Sequence, residues 1–184
     1  MIEFNFSPFP VLNTERLTLR ETTMDDLNSL FKLRNNEEGQ KYLDRPKESY
    51  EEVKEKLEKI IADTKKGDNI LWTMCTPENS KMMGTTGFWN FDKKNHRVEI
   101  GYSLFPKFWG KGFMTEANRK IIKYAFNTMK THSISANINP ENIASRKVLE
   151  KNGFRQEAHF TENYYFDGKF TDSIILSLLE RWAT

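Results

Sequence analysis

The sequence predicts an α/β (α+β) fold: a mixed, mainly antiparallel sheet of about seven strands flanked by about four helices. Three observations predict it. Apolar residues recur at helical spacing in well-separated windows, beginning at Met24, Tyr50, Ala117 and Ala144. Between them, strand-like runs between Ile70 and Leu104 are broken only by short turn clusters. Near the C-terminus, Asp167-Gly168 separates two further runs, the strongest short-range hairpin signal.

Residues 1–13 carry two prolines and read as irregular. Leu17, Thr18 and Leu19 give a short strand signal, after which Met24, Leu27, Leu30 and Phe31 follow a helical face. Ser49 with Glu52 three residues on is a capping box. Tyr50, Val53, Leu57, Ile60 and Ile61 then trace one face, and Gly67 stops the helix. The runs 70–76, 82–91 and 97–104, with turn clusters at 77–80 and 92–95, should pair as an antiparallel meander. Ala117, Ile121, Ile122, Ala125, Phe126 and Met129 predict a helix over 115–129 with Thr115 as its N-cap. A short strand at 133–137 precedes a helix at 142–152 that Gly153 terminates. The hairpin joins the run ending at Phe166 to the run 174–179.

The chain has 184 residues, enough to bury a core without disulfides or a structural metal. No linker, repeat or low-complexity tract divides it, so one domain over 1–184 is expected. The 28 Lys and Arg nearly balance the 26 Asp and Glu, for a net charge of +2, which lacks the basic footprint of a nucleic-acid binder. The lone Cys75 suits a reducing compartment. With no basic-then-apolar leader and no window near the ~20 apolar residues of a bilayer span, a cytoplasmic protein without a membrane segment is expected. His96, His132 and His159 are too scattered for a metal site, so no metal is expected.

Two segments carry candidate chemistry. In the run 97–104, Val98, Ile100, Tyr102 and Leu104 alternate with Glu99, Gly101 and Ser103, which places a carboxylate, a glycine and a hydroxyl on one face. The run leads into a loop, Trp109, Gly110, Lys111, Gly112, Phe113, Met114, Thr115, that enters a helix. Free N–H groups at a helix start, with glycines permitting close approach, can cradle a phosphate or pyrophosphate, although such a pair of glycines also marks plain turns. The dinucleotide fingerprint is excluded because Thr115 stands where its third glycine belongs. A P-loop is excluded because Gly112 follows Lys111 where Ser or Thr is required. In the second segment, Asn142, Ser145 and Leu149 share one helical stripe and Ala144 and Val148 another; read plainly, Asn142 is an N-cap.

Three motifs in this order, LNTERLTLRETTMDDL, RVEIGYSLFPKFWGKGFMTEA and NPENIASRKVLEKNGF, resemble the GNAT superfamily of acetyl-CoA-dependent N-acetyltransferases. Within it the chain is similar to the Rim-type branch (RimJ/RimL-like), the ribosomal-protein N-terminal acetyltransferases. The resemblance implies a GNAT-like single domain that uses acetyl-CoA and no metal. The family's pyrophosphate loop aligns with Trp109 to Met114, where Gly112 matches and Met114 replaces a small residue that would leave more room. The pantetheine arm is implied to run beside Tyr102, Ser103 and Leu104, with Asn142 and Ser145 near the thiol. Glu99 is implied as general base, directly or through water, against the plainer reading of a carboxylate paired with Arg97 or His96. Many relatives place a tyrosine acid where Leu149 stands, so Ser145, a water or Tyr102 is left to protonate the thiolate. Lys107, Lys111 and Arg146 lie near the expected phosphates, of which only Lys111, through its backbone, is assigned to the cofactor. Trp89 and Phe91 are candidates for the substrate pocket.

The implied acceptor is a primary amine, and the branch resemblance implies a protein N-terminal α-amino group. The alternatives are a small-molecule amine such as a polyamine or antibiotic, or a non-catalytic acetyl-CoA-binding module. Neither nucleic acid nor membrane is expected as a partner, and the chain is expected to be a monomer or homodimer.

Overall fold

The computed structural model describes residues 2–43 and 45–183. Met1, at the start of the stretch expected to be irregular, lies outside them, as do Asp44 and Thr184. In chain order the elements are β1 (Leu12–Asn13), β2 (Thr18–Glu21), α1 (Leu27–Arg34), α2 (Glu37–Gln40), α3 (Tyr50–Lys66), β3 (Ile70–Thr76), β4 (Asn79–Asp92) and β5 (Arg97–Leu104). There follow α4 (Phe113–Asn127), β6 (Ser133–Ile138), α5 (Ile143–Lys151), β7 (Arg155–Phe166) and β8 (Lys169–Leu179). The strands form one sheet in the order β1-β2-β3-β4-β5-β6-β8-β7, antiparallel throughout except between β5 and β6.

The sheet therefore has the expected character, with the meander β3-β4-β5 in place and the β7–β8 hairpin turning at Asp167 and Gly168. Both turn residues have positive φ, 48° and 76°, as a type I′ turn requires. Two elements are additional. β1 lies within the stretch read as irregular, but two residues paired to Leu19 and Thr18 are too few to show a period. The four-residue α2 is likewise shorter than a helical signal needs. The start of α4 is a correction: its N-cap is Gly112, not Thr115, because the glycine's left-handed backbone (φ 79°) lets the chain turn into the helix earlier. Its end at Asn127 precedes Met129, which remains only 5% exposed and so extended the apolar period beyond the helix.

Adjacent methionines show how the sheet is covered. Met83 joins a core formed by α4, Leu149 of α5 and sheet residues such as Trp72, Phe88 and Ile134. Met82 joins a second core with Leu30 and Leu33 of α1 and Val53 and Leu57 of α3. Consecutive strand residues point to opposite faces, so helices cover both sides of the sheet. The α1–α3 layer is tied by Glu48, which accepts two hydrogen bonds from the Arg34 guanidinium and another from Lys56. Asn35 adds a reciprocal pair with the Glu48 backbone at 2.9 and 3.0 Å.

The Arg34 hydrogen bonds pull the Glu48 carboxyl down to about 2 from an ordinary 4.5. A carboxyl with a depressed folded-state pKa adds stability that is present above its unfolded pKa and lost as pH falls through the folded value. The protein should therefore lose on the order of 1–2 kcal/mol between about pH 4.5 and 2 from this group, allowing for the solvent around Lys56. Urea unfolding of Glu48→Gln should show a lower midpoint at neutral pH and a shallower acid decline than the parent.

Among the described residues, no helix is long and apolar enough to cross a membrane, and no group of three His, Cys, Asp or Glu could hold a metal ion.

Candidate active site

The site begins where two strands part. β5 and β6 are paired only at Arg97–Ser133, Val98–Ile134 and Glu99–Ser135. Beyond Glu99, β5 continues to Leu104 bound only to β4, while Ala136 to Ile138 of β6 pair only with β8. A gap thus opens in the sheet, edged on one side by residues 100–104 and on the other by residues 136–138.

At the far end of that edge lies the glycine loop. Gly110 and Gly112 both have left-handed backbones (φ 72° and 79°), and a Cβ at Gly110 would meet no atom within 4 Å. The first intrahelical bond of α4 runs from the Glu116 N–H to the Gly112 carbonyl. The N–H groups of Gly112, Phe113, Met114 and Thr115 therefore have no acceptor within the helix, and they carry the positive end of its dipole. Trp109, 45% exposed, pins the loop to the strand, its Nε1 donating to the Leu104 carbonyl at 2.7 Å.

Arg16 secures the loop from the opposite end of the sequence. It donates to Glu116 at 2.7 Å and to the Lys111 carbonyl at 3.0 Å, and its guanidinium lies 4.6 Å from the centre of the Phe113 ring. Thr14 Oγ1 donates to the same Glu116 carboxylate at 2.6 Å. Arg16, Glu116 and Thr14 were not expected from the sequence. Their only signal was their presence in two of the quoted motifs, since 100 residues separate the guanidinium from its carboxylate.

Across the gap stands the start of α5. Asn142 is its N-cap, accepting from the Ser145 N–H at 3.0 Å, and the Ser145 hydroxyl lies 2.8 Å from the Tyr102 phenol. Tyr102 also donates to the Ser145 carbonyl at 3.2 Å, so strand β5 and helix α5 are joined across the opening. Burial pushes the Tyr102 phenol well above its ordinary pKa, opposed by its hydrogen bond to Ser145. The phenol is therefore protonated at any physiological pH.

On the other face, Glu99 accepts from Asn90 Nδ2 at 3.0 Å and, among the described residues, forms no ion pair with Arg97 or His96. Trp89 lies directly over Gly101, where an added Cβ would meet the indole Cζ2 at 1.9 Å. A glycine at 101 is thus what lets the indole lie flat on the strand beside Glu99.

One continuous cleft of about 1280 Å³ joins these parts. It is lined by Glu99, Tyr102, Ser103, Leu104, Trp109, Gly110, Gly112, Phe113, Met114, Thr115, Asn142, Ser145 and Trp89. Lys111 does not line it, because its carbonyl is turned to Arg16 and its ammonium to the Lys107 carbonyl. Lys107 sits over the Phe108 ring and Arg146 pairs with Glu150, so neither contributes to the cleft wall. Met114 is 6% exposed and packs in the main core, so its bulk does not fill the loop.

Phe91 is a further correction. Alternation would put it on the face of Trp89, but Asn90 takes a positive φ of 49° within an irregularity of β4. Phe91 consequently turns to the other face, against Phe4 and Phe6. Leu149 also departs from expectation: it is fully buried in the main core and does not share the cleft-facing stripe of Ser145.

The free N–H groups, the open glycine backbone and the unpaired strand edge fit a pyrophosphate-bearing ligand with an extended arm. Residues 16–155 match the acetyltransferase (GNAT) domain family. The chain belongs to that family and is an N-acetyltransferase. It is 33% identical to an uncharacterized N-acetyltransferase, p20, of Bacillus licheniformis over 92% of its own length and 96% of that protein. It is 30% identical to the [ribosomal protein uS5]-alanine N-acetyltransferase of Escherichia coli, over 62% of this chain and 59% of that one. Its fold also matches the crystal structure of spermidine N-acetyltransferase from Vibrio cholerae in complex with CoA and spermine. That match has a TM-score of 0.82 and 23% identity, and covers 92% and 98% of the two chains.

Proposed function

We propose that this N-acetyltransferase takes acetyl from acetyl-CoA and delivers it to a protein N-terminal α-amino group. The observation that carries the reading is the single cleft running from the glycine loop, through the gap between β5 and β6, to Glu99 and Trp89. Such a passage lets a donor and an acceptor meet from opposite faces of the sheet. The ribosomal-protein alanine acceptor in the name of the Escherichia coli relative supports an α-amine.

Acetyl-CoA supplies the thioester. The N–H groups of Gly112 to Thr115 hold its pyrophosphate, with Trp109 and Arg16 fixing the loop. The edge of β5 at Tyr102, Ser103 and Leu104 would hold the pantetheine arm, and one backbone N–H near Gly101 and Tyr102, facing the gap, would donate to the thioester carbonyl oxygen. Glu99, oriented by Asn90, takes a proton from the incoming ammonium so that a neutral amine can attack. Trp89 walls the acceptor side. Ser145, held by Tyr102, donates a hydrogen bond toward the departing sulfur. Tyr102 serves as anchor because its phenol is already engaged by the Ser145 hydroxyl and carbonyl.

Ser145→Ala should lower the single-turnover rate at saturating acetyl-CoA about tenfold, as expected for one hydrogen bond made to a developing charge. A raised KM with an unaltered single-turnover rate would reduce Ser145 to a ground-state contact. The function itself is tested by acetyl-CoA turnover on a panel of N-terminal peptides, with spermidine and an aminoglycoside alongside. Preferential turnover of a small amine would overturn the N-terminal reading in favour of the small-molecule one.

A further inference from the structure

The acceptor side of the cleft holds a cation that the chemistry above does not use. Arg45, between α2 and α3, is partly buried and lines the cleft beside Arg34. Its Nε donates to Gln40 Oε1 at 2.6 Å, and one terminal nitrogen reaches the Arg34 carbonyl at 3.4 Å. Among the described residues it pairs with no carboxylate, and its Nη1 makes no hydrogen bond. The neighbouring carboxylate, Glu48, is engaged by Arg34 and Lys56.

Three features mark this guanidinium as placed for a ligand. A guanidinium has five donors in a planar fork, and the protein occupies two. Gln40 turns its oxygen to Arg45 and leaves its own buried Nε2 without a partner, so a hydrogen bond is forgone to hold the fork in position. Burial, with the charge of Arg34, lowers the Arg45 pKa to about 10 against the opposing pull of Glu48, and the guanidinium stays charged at neutral pH.

Among the described residues, the carboxylates that line the cleft are otherwise occupied or, like Glu141, exposed to solvent. Glu99 accepts from Asn90, Asp172 accepts from the Glu162 N–H and pairs with His159, and Glu38 is exposed to solvent. A polyamine would bring a second ammonium toward Arg34 and Arg45, which repel it. A carboxylate would meet the free N–H groups of the fork in a charge-assisted pair.

We propose that Arg45 selects acceptors bearing a carboxylate close to the reacting amine. The inference rests on the proposed amine acetylation and narrows its substrate. In an N-terminal peptide the carboxylate is an Asp or Glu at the second or third position; in a free amino acid it is the α-carboxylate.

The test measures kcat/KM of the full-length protein on matched pairs. One pair is an Ala-initiated peptide with Asp or Glu at positions two and three against its Asn or Gln counterpart; another is alanine against alaninamide. Spermidine is run in parallel. The acidic peptide should exceed its amide by about tenfold, the worth of one charge-assisted hydrogen bond. Arg45→Gln should bring that ratio to about one, and Arg45→Lys should retain part of it. Turnover of alanine above alaninamide without peptide turnover supports Arg45 while overturning the N-terminal reading. Equal rates within both pairs, or a preference that survives in Arg45→Gln, overturns the assignment to Arg45 even where peptides are acetylated. Turnover of spermidine alone, or of no carboxylate acceptor, overturns it as well. Should Arg45→Gln fail to fold, Arg45→Lys carries the test, and an undiminished ratio in it overturns the assignment.

Discussion

Glu99→Gln is expected to slow acetyl transfer at neutral pH by about 10² to 10⁴ while coenzyme A still binds, the range for loss of a positioned proton acceptor. The substitution is chosen for its shape. Glu99 accepts one hydrogen bond, from Asn90 Nδ2, and a glutamine oxygen can accept the same bond without moving the strand. Glu99 also sits at the last paired rung of β5 and β6, opposite Ser135, so its backbone is fixed by strands on both sides. What changes is the ability to take a proton from the acceptor's ammonium. An amine that arrives already neutral should suffer less, so the defect should shrink as pH rises toward the amine's own pKa. Wild-type rates across the pH range would assign Glu99 to the structure alone.

Gly112→Val is expected to weaken coenzyme A binding by about 100-fold in calorimetry, through two effects that act together. At φ 79° a β-branched residue is strained, at a cost of about 1–3 kcal/mol, and relief of that strain would swing the Phe113 to Thr115 N–H groups out of line. The new side chain would also approach Arg16, whose Nη2 lies 3.5 Å from where its Cβ would be. Gly112→Ala should fall between the two, since it has the strain without the branch. An unchanged affinity in both would move the phosphate site away from this loop. Thermal melting of the same proteins separates a lost ligand site from a lost fold.

Long-period features were readable in the sequence. The seventeen residues of α3, with the Ser49–Glu52 capping box and Gly67 at its end, carry enough apolar repeats to fix both termini. The β3-β4-β5 meander and the Asp167-Gly168 turn were legible for the same reason: each is a local pattern satisfied by local contacts. The glycine loop and the alternation that puts Glu99, Gly101 and Ser103 on one face were legible too. What the sequence concealed depends on distant partners or on single-residue irregularities. Nothing local states that β6 leaves β5 after three rungs. One positive φ at Asn90 sent Phe91 to the opposite face from Trp89, contrary to simple alternation. Leu149 looked like a neighbour of Ser145 on a helical wheel, but four residues along a helix is also a rotation of about 40°, enough to turn it into the core. Arg45 gave no signal, because only the fold brings it to the wall of the cleft beside Arg34.

Three rungs between β5 and β6, with the His132 and Ser133 N–H groups donating to the His96 carbonyl, lace the two halves of the sheet, β1–β5 and β6–β8, into one. Each half is stitched internally by antiparallel pairs, and the main core runs beneath the seam from Trp72 and Phe88 to Ile134 and Leu176. Tyr102 with Ser145, and Ser135 with Arg97 and the Val98 carbonyl, add side-chain rivets across it. Anything lying in the gap touches both halves at once, so its binding free energy is lost whether either half unfolds or the two part. At a concentration 100 times its dissociation constant, such a ligand contributes about 2.7 kcal/mol to global stability, comparable with several hydrogen bonds. Filling the gap therefore ties the fate of each half to the other, because neither can open without releasing what lies between them.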